Sequence, residues 1–178
     1  MGSQTMRHFT TTDDNLVSRP KLQDRYTFTG RKRVNEVLKS EESEVVGQVL
    51  TVCGWARTIR HAGKGTFSFL EINDGSTVEN VQVIIDQNVH GFEELKQEGV
   101  GTSFKITGTL VKSPKKGQKY ELVLNDNDEH NFKIFGSSPQ SDYPLAKKKH
   151  SLEYLRDIQH LRPRSNTIGV VSRIRNTI

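Results

Sequence analysis

The chain has 178 residues, of which 33% are hydrophobic and 26% charged, and its formal net charge at pH 7 is +5. A chain of this length buries one domain of roughly 100 to 150 residues with extensions, and a positive charge favours an anionic partner. It has neither an apolar run near the ~18 residues that span a membrane nor a secretory signal, so we expect a cytoplasmic protein with no membrane partner.

The first part of the chain, residues 1–29, is polar and has no sustained hydrophobic period. We therefore expect a flexible arm, whose residues 1–5 are typical of a vector remnant. After the basic residues that follow it, Val34, Val37 and Leu38 recur at spacings of three and four. This spacing predicts a short helix that packs against the next domain.

Alternating apolar residues predict a first strand at residues 45–60. It contains Cys53, the single cysteine of the chain, which excludes an internal disulfide and is expected to be a small buried core residue. Four further strands are predicted at residues 66–73, 81–85, 103–112 and 120–124, with an edge piece at 132–135. A helix of about two turns is predicted within residues 90–98, where Phe92 and Leu95 are three apart.

Three strands, a short helix and two more strands follow the chain order of the OB fold. This fold is a five-stranded barrel that holds nucleic acid on the face of its second and third strands. A small SH3-like barrel is the competing topology, but the helix between strands three and four favours the OB fold. The predicted fold class is therefore all-β, with an OB barrel and an N-terminal flanking helix.

A barrel face that binds single-stranded nucleic acid needs aromatic rings for stacking, polar groups for base edges and cations for phosphates. Phe67 and Phe69 are two residues apart and share one face of the second strand. Gln82 is the one polar residue in the run 81–85, and its amide offers an acceptor and two donors to a base edge. For the two phenylalanines, burial in the core remains the alternative.

Cations lie where the first strand ends and its turn begins, at Arg57, Arg60 and Lys64, where they can meet a nucleic-acid backbone. Each of them taken alone is an ordinary surface charge. Lys147 and Lys148 follow the barrel, and for these two RNA contact and plain solvation are equal alternatives. No spacing of histidine, cysteine and carboxylate residues predicts a metal site.

Four segments, taken in order, resemble the N-terminal anticodon-binding domain and hinge of asparaginyl-tRNA synthetase, a class IIb enzyme like the aspartyl and lysyl synthetases. They are residues 54–60 (GWARTIR), 67–76 (FSFLEINDGS), 81–84 (VQVI) and 143–164. The resemblance covers residues 45–178 and implies anticodon recognition by part of an asparagine–tRNA ligase. It further implies tRNA-Asn as partner and, for the full-length enzyme, a homodimer that uses ATP and Mg²⁺.

The resemblance also implies roles for individual residues. Phe69 falls on the family's stacking platform for the middle anticodon base, a uracil, and Gln82 on the glutamine that recognises the same base. Arg60 falls on an arginine at the end of strand one. Glu121, in the fifth strand, matches a glutamate near the first anticodon base. The resemblance assigns no role to the cations at positions 57, 64, 147 and 148, which stay candidate contacts to the RNA backbone because of their charge and position.

The resemblance implies an OB-fold domain with its N-terminal helix at residues 30–136 and a hinge at 137–164. Residues 165–178 resemble the start of the motif 1 helix of a class II α+β catalytic domain. Nothing here resembles motifs 2 and 3, which bind ATP in these enzymes. We therefore expect no catalytic residue, no cofactor and no aminoacylation in this chain alone, and a monomeric state remains open for it.

Three alternatives remain. An aspartyl-type or non-discriminating synthetase shares the same middle anticodon base, so Phe69 and Gln82 do not separate it from an asparaginyl enzyme. A freestanding OB module would bind single strands without sequence preference. A protein-interaction module would bury both phenylalanines and would not bind tRNA.

Overall fold

The computed structural model of the protein describes residues 30–124, 131–141, 143–145 and 148–178. Residues Arg31–Ile178 form one compact unit, which contains every feature described below. Its strands are β1 (Val49–Ala62), β2 (Phe67–Asn73), β3 (Val81–Asp86), β4 (Ser103–Lys112), β5 (Tyr120–Leu124) and β6 (Phe132–Gly136). Its α-helices are α1 (Val34–Lys39), α2 (Glu42–Val45), α3 (Phe92–Leu95), α4 (Leu152–Asp157) and α5 (Asn166–Thr177).

The first five strands close into a barrel. They are hydrogen-bonded in the order β1-β2-β3-β5-β4, and β4 also pairs with β1, which closes the ring. The pairing of β3 with β5 is parallel and the other pairings are antiparallel, while β6 extends the sheet beyond β4. Helix α3 lies between β3 and β4 in the chain. The predicted OB fold, its helix between strands three and four and its N-terminal helix are confirmed. The predicted length of about two turns for the first of these helices is wrong, because α3 has four residues, about one turn.

The core consists of inward-facing side chains from the five barrel strands. In β2 the buried residues Ser68, Leu70 and Ile72 are all 0% exposed and alternate with more exposed neighbours, as the period of a strand requires. Helices contribute too, because Val34 and Val37 of α1 join the same buried cluster, as do residues of α3. Burial of each large apolar side chain contributes about 1.5–3 kcal/mol.

The turn between β2 and β3 caps helix α1. Asp74 Oδ2 accepts a hydrogen bond from the backbone N–H of Val34 at 3.1 Å, and Ser76 Oγ accepts one from the N–H of Asn35 at 3.0 Å. The first N–H groups of a helix have no partner within the helix, so side chains from elsewhere stabilise it. The Asp-Gly-Ser sequence at residues 74–76 is itself typical of a turn.

Strand β1 departs from its prediction in two ways. Residues 42–45 form α2, so the predicted start at residue 45 is wrong and β1 begins at Val49. A register shift between Ala56 and Thr58 marks a β-bulge at Arg57. The prediction of a core position for Cys53 is also wrong, because this side chain is half-buried and alternates with the fully buried Val52.

The segment after the barrel docks against β1 through cations. The guanidinium of Arg57 donates to the carbonyl oxygen of Arg164 at 2.6 Å and to Asn166 Oδ1 at 2.9 Å. The guanidinium carbon of Arg164 lies 4.2 Å from the centre of the Trp55 ring, in cation–π contact.

Within the described part of the chain, no helix has the length and apolar character needed to cross a membrane.

Candidate nucleic-acid interface

The outer face of β1, β2, β3 and β5 brings four of the predicted site residues together. Directly paired residues on neighbouring strands project from the same face of a sheet. One row across this face contains Glu71, Gln82 and Glu121, and the next contains Arg60, Phe69 and Ile84. Gln82 is thus one row from Phe69, on the neighbouring strand.

Phe69 is half-buried on the outer face and is not part of the core. It lies opposite Arg60 on one side and Ile84 on the other, and Phe67 on the same face is 42% exposed. A partly exposed ring between a cation and an aliphatic side chain offers a surface on which a base can stack.

Gln82 contacts a buried carboxylate. Its Nε2 lies 3.4 Å from Oε1 of Glu121, which is only 5% exposed. The same oxygen accepts hydrogen bonds from Ser113 Oγ at 2.7 Å and Gln118 Nε2 at 3.3 Å. Both of these donors belong to the loop between β4 and β5, so Glu121 connects that loop to Gln82 on β3.

Arg60 forms an ion pair with Glu71, with Nη2 3.3 Å from Oε1. The two side chains are 60% and 27% exposed, and ion pairs in such settings contribute only about 0–1 kcal/mol. Arg60 can therefore exchange this carboxylate for a phosphate at little cost. Asn80 Nδ2 holds the other oxygen of Glu71 at 3.3 Å.

An open groove of about 620 Å³ lies beside Gln82. It is lined by Leu38, Glu71, Glu79, Asn80, Gln82, Gly117, Gln118 and Lys119. Its volume is typical of ligand clefts, and its polar groups surround the Gln82 amide. Lys119 Nζ donates to the carbonyl oxygens of Leu38 and Ser40, at 3.2 and 2.7 Å, so the β4–β5 loop is held against α1.

Sequence reasoning missed Asn80 and Gln118, which contribute amides to this site. Asn80 lies next to a turn, and Gln118 ends a glycine-containing basic loop. Both patterns are ordinary for loops, so no sequence signal distinguished these amides from other loop residues.

The predicted cations outside this face have different surroundings. Lys64 is exposed in the turn after β1, with a φ of +56°. Arg57 is engaged by the segment after the barrel, and with exposed Lys148 it lines a second cleft of about 690 Å³. Lys147 lies outside the described residues.

Among the residues that the structure describes, no group of three or more His, Cys, Asp or Glu is placed to hold a metal ion.

Comparison with known families identifies the class of this domain. Residues 50–127 match the family described as the OB-fold nucleic acid binding domain. The barrel closure, the helix after β3 and the exposed face of β2 and β3 are what this class of protein requires. The barrel therefore has the OB fold and is similar to the OB-fold nucleic acid binding domains.

Similarity to known proteins extends beyond the barrel. The chain is 43% identical over 147 residues to the asparagine–tRNA ligase of Borreliella burgdorferi, covering 82% of this chain and 30% of that protein. It is 44% identical over 149 residues to the asparagine–tRNA ligase of Desulfotalea psychrophila, covering 83% and 31%. Over most of its length the chain is similar to asparagine–tRNA ligases, which confirms the resemblance in its sequence.

A solved structure supports the fold. The crystal structure of asparaginyl-tRNA synthetase from Pyrococcus horikoshii matches with a TM-score of 0.67 and 21% identity. The match covers 83% of this chain and 33% of that one. The present chain spans about 30% of the length of the curated relatives it matches.

Proposed function

We propose that the outer face of β2, β3 and β5 binds the anticodon loop of tRNA-Asn, and that this chain serves anticodon recognition in an asparagine–tRNA ligase. The observation that carries the proposal is the position of Phe69 and Gln82 on adjacent strands, beside a groove of about 620 Å³ on the nucleic-acid face of an OB barrel. The identity of 43–44% to curated asparagine–tRNA ligases supports the choice of tRNA.

In this proposal Phe69 stacks the middle base of the anticodon, a uracil. Its ring is half-buried, so part of the ring packs against the barrel and part is accessible to a base. Stacking of an unpaired base on an aromatic side chain contributes about 1–3 kcal/mol and does not depend on which base is stacked. Phe69 therefore supplies affinity and leaves discrimination to a neighbour.

Gln82 supplies that discrimination. A uracil presents an N3–H donor between two carbonyl acceptors, and an amide pairs with it by accepting from N3–H and donating to one carbonyl. The amide of Gln82 lines the groove and lies one row from Phe69, so a base stacked on the ring can direct its edge toward it. A bidentate pair of this kind is worth about 1–3 kcal/mol of discrimination against a wrong base.

The remaining residues hold the RNA backbone. Arg60 is more than half exposed beside Phe69, and its weak ion pair with Glu71 leaves it able to bind a phosphate. Lys64, in the exposed turn after β1, and Lys148, at the second cleft, extend the positive surface. Lys147 and Arg57 are further proposed backbone contacts. Glu121 completes the proposed anticodon site.

The activity of the whole enzyme belongs to the same proposal. We infer that a full-length protein containing this chain attaches asparagine to tRNA-Asn with ATP and Mg²⁺ as a cytoplasmic homodimer, with the OB domain at residues 30–136, the hinge at 137–164 and motif 1 beginning in 165–178.

Binding measurements on labelled RNA hairpins test the proposal. We expect the chain to bind a hairpin with a GUU anticodon more tightly than one with GUC, and both more tightly than an unstructured oligonucleotide of equal length. Equal affinity for GUU and GUC would favour an aspartyl-type or non-discriminating domain. Equal affinity for all three RNAs, with a steep salt dependence, would indicate a non-specific single-strand binder. No binding at all would contradict the proposal.

A further inference from the structure

We propose that Glu121 is a positioning residue that fixes the orientation of the Gln82 amide and thereby lets the site distinguish uracil from cytosine at the middle anticodon base. This inference rests on the proposed function, because Gln82 must be the residue that contacts the base. It differs from the role implied by family resemblance, in which Glu121 lies near the first anticodon base.

The two residues are direct cross-strand partners on the parallel strands β3 and β5. A carboxylate offers only acceptors, so it attracts the NH₂ end of an amide and repels the carbonyl end. With Nε2 of Gln82 at 3.4 Å from Oε1 of Glu121, the amide oxygen of Gln82 is directed away from Glu121. The carboxylate thus selects one of the two amide orientations.

Glu121 is itself held in place. Ser113 Oγ and Gln118 Nε2 donate to the same oxygen, at 2.7 and 3.3 Å, so three neutral donors converge on one atom. A carboxylate that is 5% exposed and accepts three hydrogen bonds at one oxygen has little freedom to turn. Its burial also leaves little of its surface for a base to touch directly, which favours an action through Gln82.

The orientation matters because uracil and cytosine present opposite patterns at the same positions. Uracil has an N3–H donor beside its O4 acceptor, whereas cytosine has an N3 acceptor beside its N4 amino donor. An amide that rotates freely can pair with either base by exchanging its two ends. An amide fixed by Glu121 pairs well with only one of them, so Gln82 makes the contact and Glu121 makes it selective.

Glu121→Gln is the decisive variant, because it keeps the size of the side chain and replaces the acceptor-only group with an amide that also donates. We expect affinity for a hairpin with uracil in the middle of the anticodon to change by less than about threefold, while affinity for the cytosine hairpin rises. The ratio of the two affinities should then fall by about tenfold, the order of discrimination that one bidentate contact supplies.

Two further single variants and one double variant make the test specific. Glu44→Gln, at an exposed glutamate on α2, makes the same chemical change away from the site and should leave the ratio unchanged. Ser113→Ala removes one hydrogen-bond donor to Glu121 without changing the charge, and it should reduce the ratio of the two affinities partly. If the thermal melting curve of Glu121→Gln shows that this variant does not fold, Ser113→Ala serves as the test. In a Gln82→Ala background, Glu121→Gln should have no further effect on the ratio.

The outcomes distinguish failure of the positioning role of Glu121 from failure of the proposed function. If Gln82→Ala abolishes the preference for uracil but Glu121→Gln and Ser113→Ala leave it intact, the positioning role is wrong and the proposed function stands. If Glu121→Gln changes only the preference at the first anticodon base, Glu121 contacts that base directly and the inference is again wrong. If Gln82→Ala itself leaves the preference unchanged, both fail.

Discussion

Arg60 and Phe69 are directly opposite each other on β1 and β2 because a β-bulge at Arg57 shifts the alternation of β1 by one residue. Before the bulge, the even-numbered residues Leu50, Val52 and Ala56 face the core. An unbroken alternation would have directed Arg60 inward with them. A bulge redirects the side chains that follow it, and here it places a cation beside the aromatic ring on the outer face of the barrel.

Replacement of Phe69 by alanine should weaken binding of the GUU hairpin by about tenfold or more, because it removes a stacking platform worth about 1–3 kcal/mol. Fluorescence anisotropy measures this directly. Phe135→Ala is the matched control, since this ring is 60% exposed on β6, away from the proposed site. Equal losses in the two variants would mean that the ring at position 69 has no particular role in binding.

Replacement of Arg60 by alanine should weaken hairpin binding to a similar degree for every anticodon, because a phosphate contact carries no sequence information. The slope of log affinity against log salt concentration should fall by about one, the contribution of one phosphate contact. Lys133→Ala, at an exposed lysine on β6, should leave the slope unchanged. A loss confined to one anticodon sequence would instead assign Arg60 to base recognition.

The barrel could be predicted from sequence because its strands carry a strong period of two. The predicted strand at residues 103–112 has the same bounds as β4, and Phe69 lies on the face opposite Leu70, as the alternation indicated. Both faces of β1 are partly apolar, however. Cys53 and Val52 therefore could not be assigned to a face by pattern, and only the register with β2 and β4 reveals which one is buried.

The rest of the site depends on contacts that lie far apart in the chain. Gln82 and Glu121 are separated by 39 residues and become neighbours only through the parallel pairing of β3 with β5. In the sequence Arg57 cannot be distinguished from an ordinary surface cation, because its hydrogen-bond partner Arg164 lies 107 residues away. Such pairs are too far apart in the chain for a local hydrophobic period to predict them. The sequence therefore indicated candidate site residues but not which of them contact each other.

Replacement of Arg57 by alanine should release the segment that contains α4 and α5 from the barrel. It removes hydrogen bonds of 2.6 and 2.9 Å to Arg164 and Asn166, and charged hydrogen bonds contribute about 1.5–3 kcal/mol each. Amide hydrogen exchange in α5 should become faster while exchange in the barrel strands stays unchanged. Arg156→Ala, at an exposed arginine on α4, is the control. Unchanged exchange in Arg57→Ala would show that other contacts hold this segment.

Glu98 should make the stability of the barrel depend on pH. Burial alone would raise the pKa of its carboxyl, but hydrogen bonds from Thr102 and Ser137 side chains and the backbone N–H of Ser138 lower it below its ordinary value of 4.5. A pKa that is lower in the folded state stabilises the protein above the unfolded pKa, and this contribution is lost as pH falls through the folded value.

The free energy of unfolding should therefore be higher for the wild-type chain than for Glu98→Gln at pH 7, and the difference should shrink below about pH 4.5. Urea denaturation at a series of pH values measures it. Glu93→Gln, at a glutamate whose side chain is 82% exposed, should show a much smaller pH-dependent difference. A difference between Glu98→Gln and wild type that stays constant on acidification would exclude a role for the Glu98 charge.

The central claim is that Gln82 recognises the uracil in the middle of an anticodon held on Phe69. The most direct measurement is the affinity of wild type and Gln82→Ala for two hairpins that differ only in uracil or cytosine at that position. We predict that wild type prefers uracil by about tenfold or more and that Gln82→Ala reduces this preference to within about threefold. Equal wild-type affinity for both hairpins, or a preference that survives in Gln82→Ala, would contradict the account.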